Sequence, residues 1–255
     1  MNFGDFIIIA LIFIISFAMN KDTIFSSENL ISMAIAAVIV LVIIMIFVFD
    51  YLPILLLTAA KNDYYENRDT DKFLEAIERF KKKNKLVSHS YKAYLYEAEV
   101  KLQQGEFSQA LDCLLYCSKK DMDLDSSLKV MLLRCKILMF MDQFNPSIPD
   151  WQFIIAHQKS IPLEEIFNFN LIRGYLYIQE GELEKAQKMV EKLLSYNRNL
   201  NSKFHNWEFE SKWLNALITF YNYSQHNYNN QLNMLKGSGA PKYIIKSIQR
   251  QEKAD

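Results

Sequence analysis

Phe6 to Met19 contains no charged side chain, and neither does Leu30 to Phe49, whereas nearly all of the charge lies beyond residue 60. A helix rises about 1.5 Å per residue, so the second run covers about 30 Å, the thickness of a bilayer's hydrocarbon core. The chain therefore changes solvent partway along. Phe6 to Met19 is shorter. A secretory signal would place Lys or Arg before the apolar run and small residues after it, but Asp5 precedes this one and Ser16, Phe17, Ala18 and Met19 close it, so it reads as a retained helix. Residues 1–56 are accordingly expected to form a two-helix transmembrane hairpin, and residues 57–255 a separate helical domain. Asp50 and Pro53 mark where the second membrane helix should bend or stop.

Residues 1–60 hold Lys21 against Asp5, Asp22, Glu28 and Asp50, which leaves the remainder with a small positive balance. That is far from the clustered basic surface of a nucleic-acid binder, and nucleic acid is excluded as a partner. The Lys and Arg residues that flank the apolar segments lie after the second one: Lys61, Arg68, Lys72, Arg79, then Lys81, Lys82, Lys83 and Lys85. Positive charge stays on the cytoplasmic side, so a multi-pass protein with both termini in the cytoplasm is expected. Three cysteines, Cys113, Cys117 and Cys135, form no disulfide framework and suit a reducing compartment.

Past residue 60 the chain repeats itself. Ala98, Gly105, Phe107, Ala110 and Leu114 have the same spacing as Gly174, Gly181, Leu183, Ala186 and Val190. Weaker copies are Asp71, Phe73, Ala76 and Phe80; then Cys135, Asp142, Phe144, Ser147 and Trp151; then Thr219, His226, Tyr228, Gln231 and Leu235. Antiparallel helices approach closely only over a small side chain, and a single pair cannot bury its apolar face, so pairs must stack. The pattern resembles the tetratricopeptide repeat in its period, its small residues at helix contacts and its Gly-led turn. The expected fold is all-α: the hairpin, then a tetratricopeptide-like α-solenoid of about five helix pairs, closed by a capping helix over Tyr243 to Glu252.

Candidate chemistry is sparse. His89, His157, His205 and His226 have no zinc-type spacing. Cys117 and Cys135 fall at small helix-contact positions of the repeat, where free Cys serves as a small hydrophobe. The Lys81 to Lys85 cluster reads as a solvated helix end, with lipid headgroups as the alternative. No phosphate loop, paired carboxylate or activated nucleophile motif is present, and neither a metal nor a cofactor is expected.

What the resemblance implies is a protein partner. In tetratricopeptide proteins the first helices of successive repeats line a concave groove, and carried onto this register the groove residues are Lys92, Leu95, Glu99, Lys129, Leu132, Lys136, Tyr175, Gln179, Trp213, Phe220 and Tyr223. The Lys and Asn set that grips a terminal carboxylate in some members is not matched, since Leu95 and Glu99 stand there. The expected function is a non-enzymatic, membrane-anchored scaffold in a bacterial envelope or secretion assembly, with a layout similar to PelE-type accessory proteins of exopolysaccharide secretion. The alternatives are an extracytoplasmic assembly factor of the cytochrome-maturation or HemY-like type, and a membrane-bound sensor or enzyme, which would need a pocket of converging polar groups.

Overall fold

The computed structural model describes residues 27–83, 90–117, 122–199, 206–222 and 225–254, and every regular element among them is helical. Phe6 to Met19, the first half of the expected hairpin, lies outside the described residues. The chain divides into two compact units, Met1–Leu56 and Leu57–Asp255.

In the first unit, α1 (Ser27–Ile46) passes through a π turn (Phe47–Tyr51) into α2 (Leu52–Asn67), whose residues from Leu57 onward belong to the second unit. Ala37–Asn67 is one helical run of 31 residues, long and apolar enough to cross a membrane, with a mean hydropathy of 2.9 over its most apolar window and none of that window buried. The helix does not stop at Pro53. The Leu52 N–H bonds to Phe47 O, five residues back, and this widened turn makes room for a proline ring that lacks an N–H and would crowd an ordinary helical carbonyl.

The second unit continues with α3 (Thr70–Lys83), α4 (Tyr91–Gln103), α5 (Phe107–Cys117), α6 (Leu124–Phe140), α7 (Ile148–Ala156), α8 (Ile166–Gln179), α9 (Leu183–Asn199), α10 (Asn206–Tyr221), α11 (Gln225–Gly237) and α12 (Lys242–Ala254). Apolar spacing dictates which face each helix buries. On α3 the buried residues are Phe73, Ile77 and Phe80, and on α9 they are Ala186, Val190 and Leu193, one stripe of a 3.6-residue period in each case. Asp123 caps α6 by accepting a bond from the Ser126 N–H.

Three helix ends share one turn. After α4, α6 and α8 the backbone enters the left-handed region at Gly105, Asp142 and Gly181, with φ of 71°, 56° and 77°. In each the next N–H reaches back to close the turn: Glu106 to Lys101 O, Gln143 to Leu138 O, Glu182 to Tyr177 O. Glycine takes that φ freely; Asp is among the few others that tolerate it, and Asp142 is further held by a 2.9 Å bond from the Tyr175 hydroxyl. The small residue that follows, Ala110, Ser147 or Ala186, is fully buried in all three copies.

α4, α6, α8 and α10 pack in succession as an inner layer, and α5, α7, α9 and α11 each pack against the helix before them. α12 forms where a capping helix was expected, but its packing extends beyond the last pair. Tyr243, Ile244, Ser247 and Ile248 are buried, and α12 touches α4 and α6 as well as α10 and α11. Lys246 Nζ donates to Gly105 O at 3.0 Å, and the Arg250 guanidinium lies over the Phe107 ring. The Asn206 amide joins the start of α10 to Gln103 at the end of α4. The inner layer thus closes on itself.

Candidate functional site

The inner layer encloses a cleft of about 590 Å³. α4 contributes to it along its whole length, through Tyr91, Lys92, Leu95, Tyr96, Glu99, Leu102 and Gln103. α6 contributes Ser126, Lys129, Leu133 and Lys136. α8 and the turn before it add Glu164, Glu165 and Asn168; α10 adds Asn206, Trp207 and Glu210; and the end of α2 adds Lys61, Tyr65 and Arg68. The cleft crosses successive helices obliquely, running the length of α4 but meeting α8 and α10 only near their starts.

Most of its charge is paired. Lys61 meets Glu99 at 2.7 Å, and the Tyr65 hydroxyl donates to the same carboxylate. Lys129 meets Glu164 at 2.6 Å. On Lys129 burial disfavours the ammonium, but the bond to Glu164 and the charges of Glu164 and Glu165 together outweigh it and hold the pKa up. Lys136 meets Glu210 at 2.7 Å and also donates to Asn168 Oδ1, and Asn168 in turn donates to Glu165. The Tyr243 hydroxyl of α12 donates to the same oxygen of Glu210 that Lys136 contacts. The other oxygen, Oε2, is buried with no partner among the described residues. Trp207 lines the cleft with its ring stacked on Phe167, the centroids 4.4 Å apart.

The expected groove residues separate into groups. Lys92, Leu95, Glu99, Lys129 and Lys136 come together in this cleft. Lys136 is only 7 % exposed, so its ammonium is engaged internally. Leu132 is fully buried, and its neighbour Leu133 lines the cleft instead. Tyr175 and Trp213 are core: both are buried, with Trp213 packed against Phe140 and Tyr175. Gln179 is exposed at the end of α8, Phe220 packs on Tyr228, and neither lines the cleft. Tyr223 lies outside the described residues. The oblique course explains the division, because the cleft meets α8 and α10 only at their first turns while the expected residues sit further along.

Glu164, Glu165, Asn168, Asn206, Trp207, Glu210, Lys61 and Tyr65 were not anticipated. A signal existed for two of them, since the 34-residue period carries Leu95 and Glu99 back onto Lys61 and Tyr65. Glu164 and Glu165 stand in a short 3-10 turn before α8 that has no counterpart in the repeat.

Other sequence candidates have structural roles. Lys81 pairs with Glu97 and Glu78 and sits over the Tyr94 ring, while Lys82 is exposed and Lys85 lies outside the described residues. Burial pushes the thiols of Cys113, Cys117 and Cys135 up to about 12, which keeps them protonated at neutral pH. Cys117 donates to Tyr91 O. His157 bonds its own helix through Phe153 O. Among the described residues no group of His, Cys, Asp and Glu has the arrangement of a metal site. Comparison with known protein families, characterised proteins and solved structures finds no match to this chain.

Proposed function

We propose that this chain is a membrane-anchored, tetratricopeptide-like scaffold that takes a segment of a protein partner into the cleft of its inner helix layer. The observation that carries the reading is the cleft itself: a concave surface built by consecutive first helices, polar along its walls, with aromatic faces at Tyr96 and Trp207. Three supports stand behind the repeat assignment: the recurrent left-handed turn at Gly105, Asp142 and Gly181, the buried small residue after each, and the inner and outer helix layers. The apolar run within Ala37–Asn67 would hold the array at a membrane. With Phe6 to Met19 as a second helix, the protein becomes a hairpin with both ends in the cytoplasm, in an envelope-biogenesis or secretion assembly.

A photo-crosslinking side chain in place of Tyr96 tests the reading in the full-length protein in native membranes. It should give a discrete adduct that the same group at exposed Glu191, on the outer layer, does not give. Equal products from both positions, or none from Tyr96, would defeat the reading. Orientation is checked with a single cysteine at Ser26, which should react with an impermeant maleimide in whole cells while one at Lys253 should not.

A further inference from the structure

Three cleft lysines are matched to carboxylates; of the five other charged groups that line the cleft, Arg68, Asp123 and Asp125 are exposed, while Lys92 and Glu165 are partly buried. Among the described residues Lys92 has no carboxylate partner. It is half-buried, and burial together with the like charge of Lys129 holds its pKa below the ordinary lysine value, against a smaller opposing pull from Asp123. Glu165 is the mirror case. It accepts one bond, from Asn168 Nδ2 at 2.7 Å, and no described cation lies within ion-pair distance. Burial and the charge of Glu99 push its pKa up, with Lys136 and Lys61 pulling the other way. The unpartnered Oε2 of Glu210, on a side chain 1 % exposed, is a third unmet demand, and it too asks for a donor. Among the described residues Lys92 therefore lacks an anion at ion-pair distance, and Glu165 lacks a cation at ion-pair distance.

An extended chain, advancing about 3.3 Å per residue, can follow the cleft from α4 across α6 to the starts of α8 and α10.

We propose, building on the scaffold reading above, that the cleft receives an extended segment of the partner carrying one basic and one acidic side chain, the basic head on Glu165 and Glu210 and the acidic one on Lys92. The segment supplies the missing counter-charge at both places at once. Peptides of a single sign satisfy one demand and meet like charge at the other.

The probes are short, blocked, alanine-based peptides carrying one Asp and one Lys at varied separation, compared with sets carrying two Asp, two Lys or neither. Binding is read from the intrinsic tryptophan fluorescence of the full-length protein in nanodiscs, to which Trp207 contributes from within the cleft, with a Trp207→Phe control to assign the change. The best mixed peptide should bind about ten-fold more tightly than any single-sign or neutral one. Lys92→Glu should invert the choice, so that the two-Lys peptide overtakes the mixed one, a switch that loss of packing cannot produce. Should Lys92→Glu melt early, Lys92→Gln serves instead and should erase the preference for Asp while keeping that for Lys. Equal binding of mixed and neutral peptides, or a preference unchanged in both Lys92 variants, overturns the proposal. If that happens while the Tyr96 crosslink persists, the charge assignment falls and the scaffold reading stands; if the crosslink also vanishes, both fall.

Discussion

Replacing Lys136 by Met should damage this fold more than any other single change in the cleft. The Lys136 and Glu210 side chains are 9 % and 1 % exposed, their charged atoms are 2.7 Å apart, and they join α6 to α10. With the ammonium gone, Glu210 keeps only the Tyr243 hydroxyl, and its already unpartnered Oε2 gains nothing. Stranding a buried charge in this way costs about 3 to 5 kcal/mol. For a domain of this size that is a fall in Tm of roughly 6 to 20 °C. Glu210→Gln should cost less, about 1 to 3 kcal/mol, because the lysine stem lines the cleft and its head can turn toward water while the new amide still accepts a bond. The double change Lys136→Met with Glu210→Gln should lose less than the two single losses combined, since neither charge is stranded. Thermal melts of the full-length protein in mild detergent, followed by far-UV circular dichroism, measure all three. A Lys136→Met protein within about 1 kcal/mol of the parent, or strictly additive losses, would refute the buried-pair argument.

Two further outcomes concern α9 and the turn before α8. Ala186, fully buried on α9 against α8, leaves no room for a larger side chain, so Ala186→Leu should cost about 1 to 3 kcal/mol while Glu191→Leu on the exposed face stays within about 0.5; equal melts would show that the helices do not touch there. Glu165 has a folded pKa above its unfolded value, so its ionisation destabilises the fold as pH rises through the raised pKa; Glu165→Gln should melt higher than the parent above neutrality, the gap closing below about pH 4, and a gap independent of pH would rule out the buried carboxylate as its source.

Local geometry was legible and long-range closure was not. The spacing of Gly105 and Gly181 announces a left-handed turn because so few residues adopt that φ, and the register extended it to Asp142. Ala110, Ser147 and Ala186 were legible for a related reason, since only a small side chain lets two helices approach. Lys92 and Lys129 could be placed because each stands six residues before the small residue of its copy, Ala98 or Cys135. The register failed at Tyr175 and Trp213. Both are buried in the core around Phe140, further along α8 and α10 than the first turns that the cleft reaches. No local pattern could pair Lys136 with Glu210 or bring Glu165 to the cleft floor. Those contacts join helices far apart in the sequence and involve a 3-10 turn outside the period.

The return of α12 explains how a helical array of this size can keep a cleft of fixed dimensions. In an open solenoid each pair contacts only its neighbours, so the end pairs are the least stable and the concave face can flex. Here α12 holds the turn between α4 and α5 through Lys246 and Arg250, and buries Tyr243 against Phe140 of α6 and Glu210 of α10. The first complete pair and the last inner helix are therefore tied by one element, and the Gln103–Asn206 bond ties them again. Glu210 is the joint of this arrangement, because a single carboxylate oxygen receives both the lysine of the cleft wall and the tyrosine of the closing helix. A cleft whose walls are set before anything enters loses little conformational freedom on binding, so weak individual contacts can still add up to selection. Its two partly buried groups without an ion-pair partner among the described residues, Lys92 and Glu165, then remain in place as a fixed pattern of opposite charges rather than collapsing onto each other, with Lys129 standing within electrostatic reach of both.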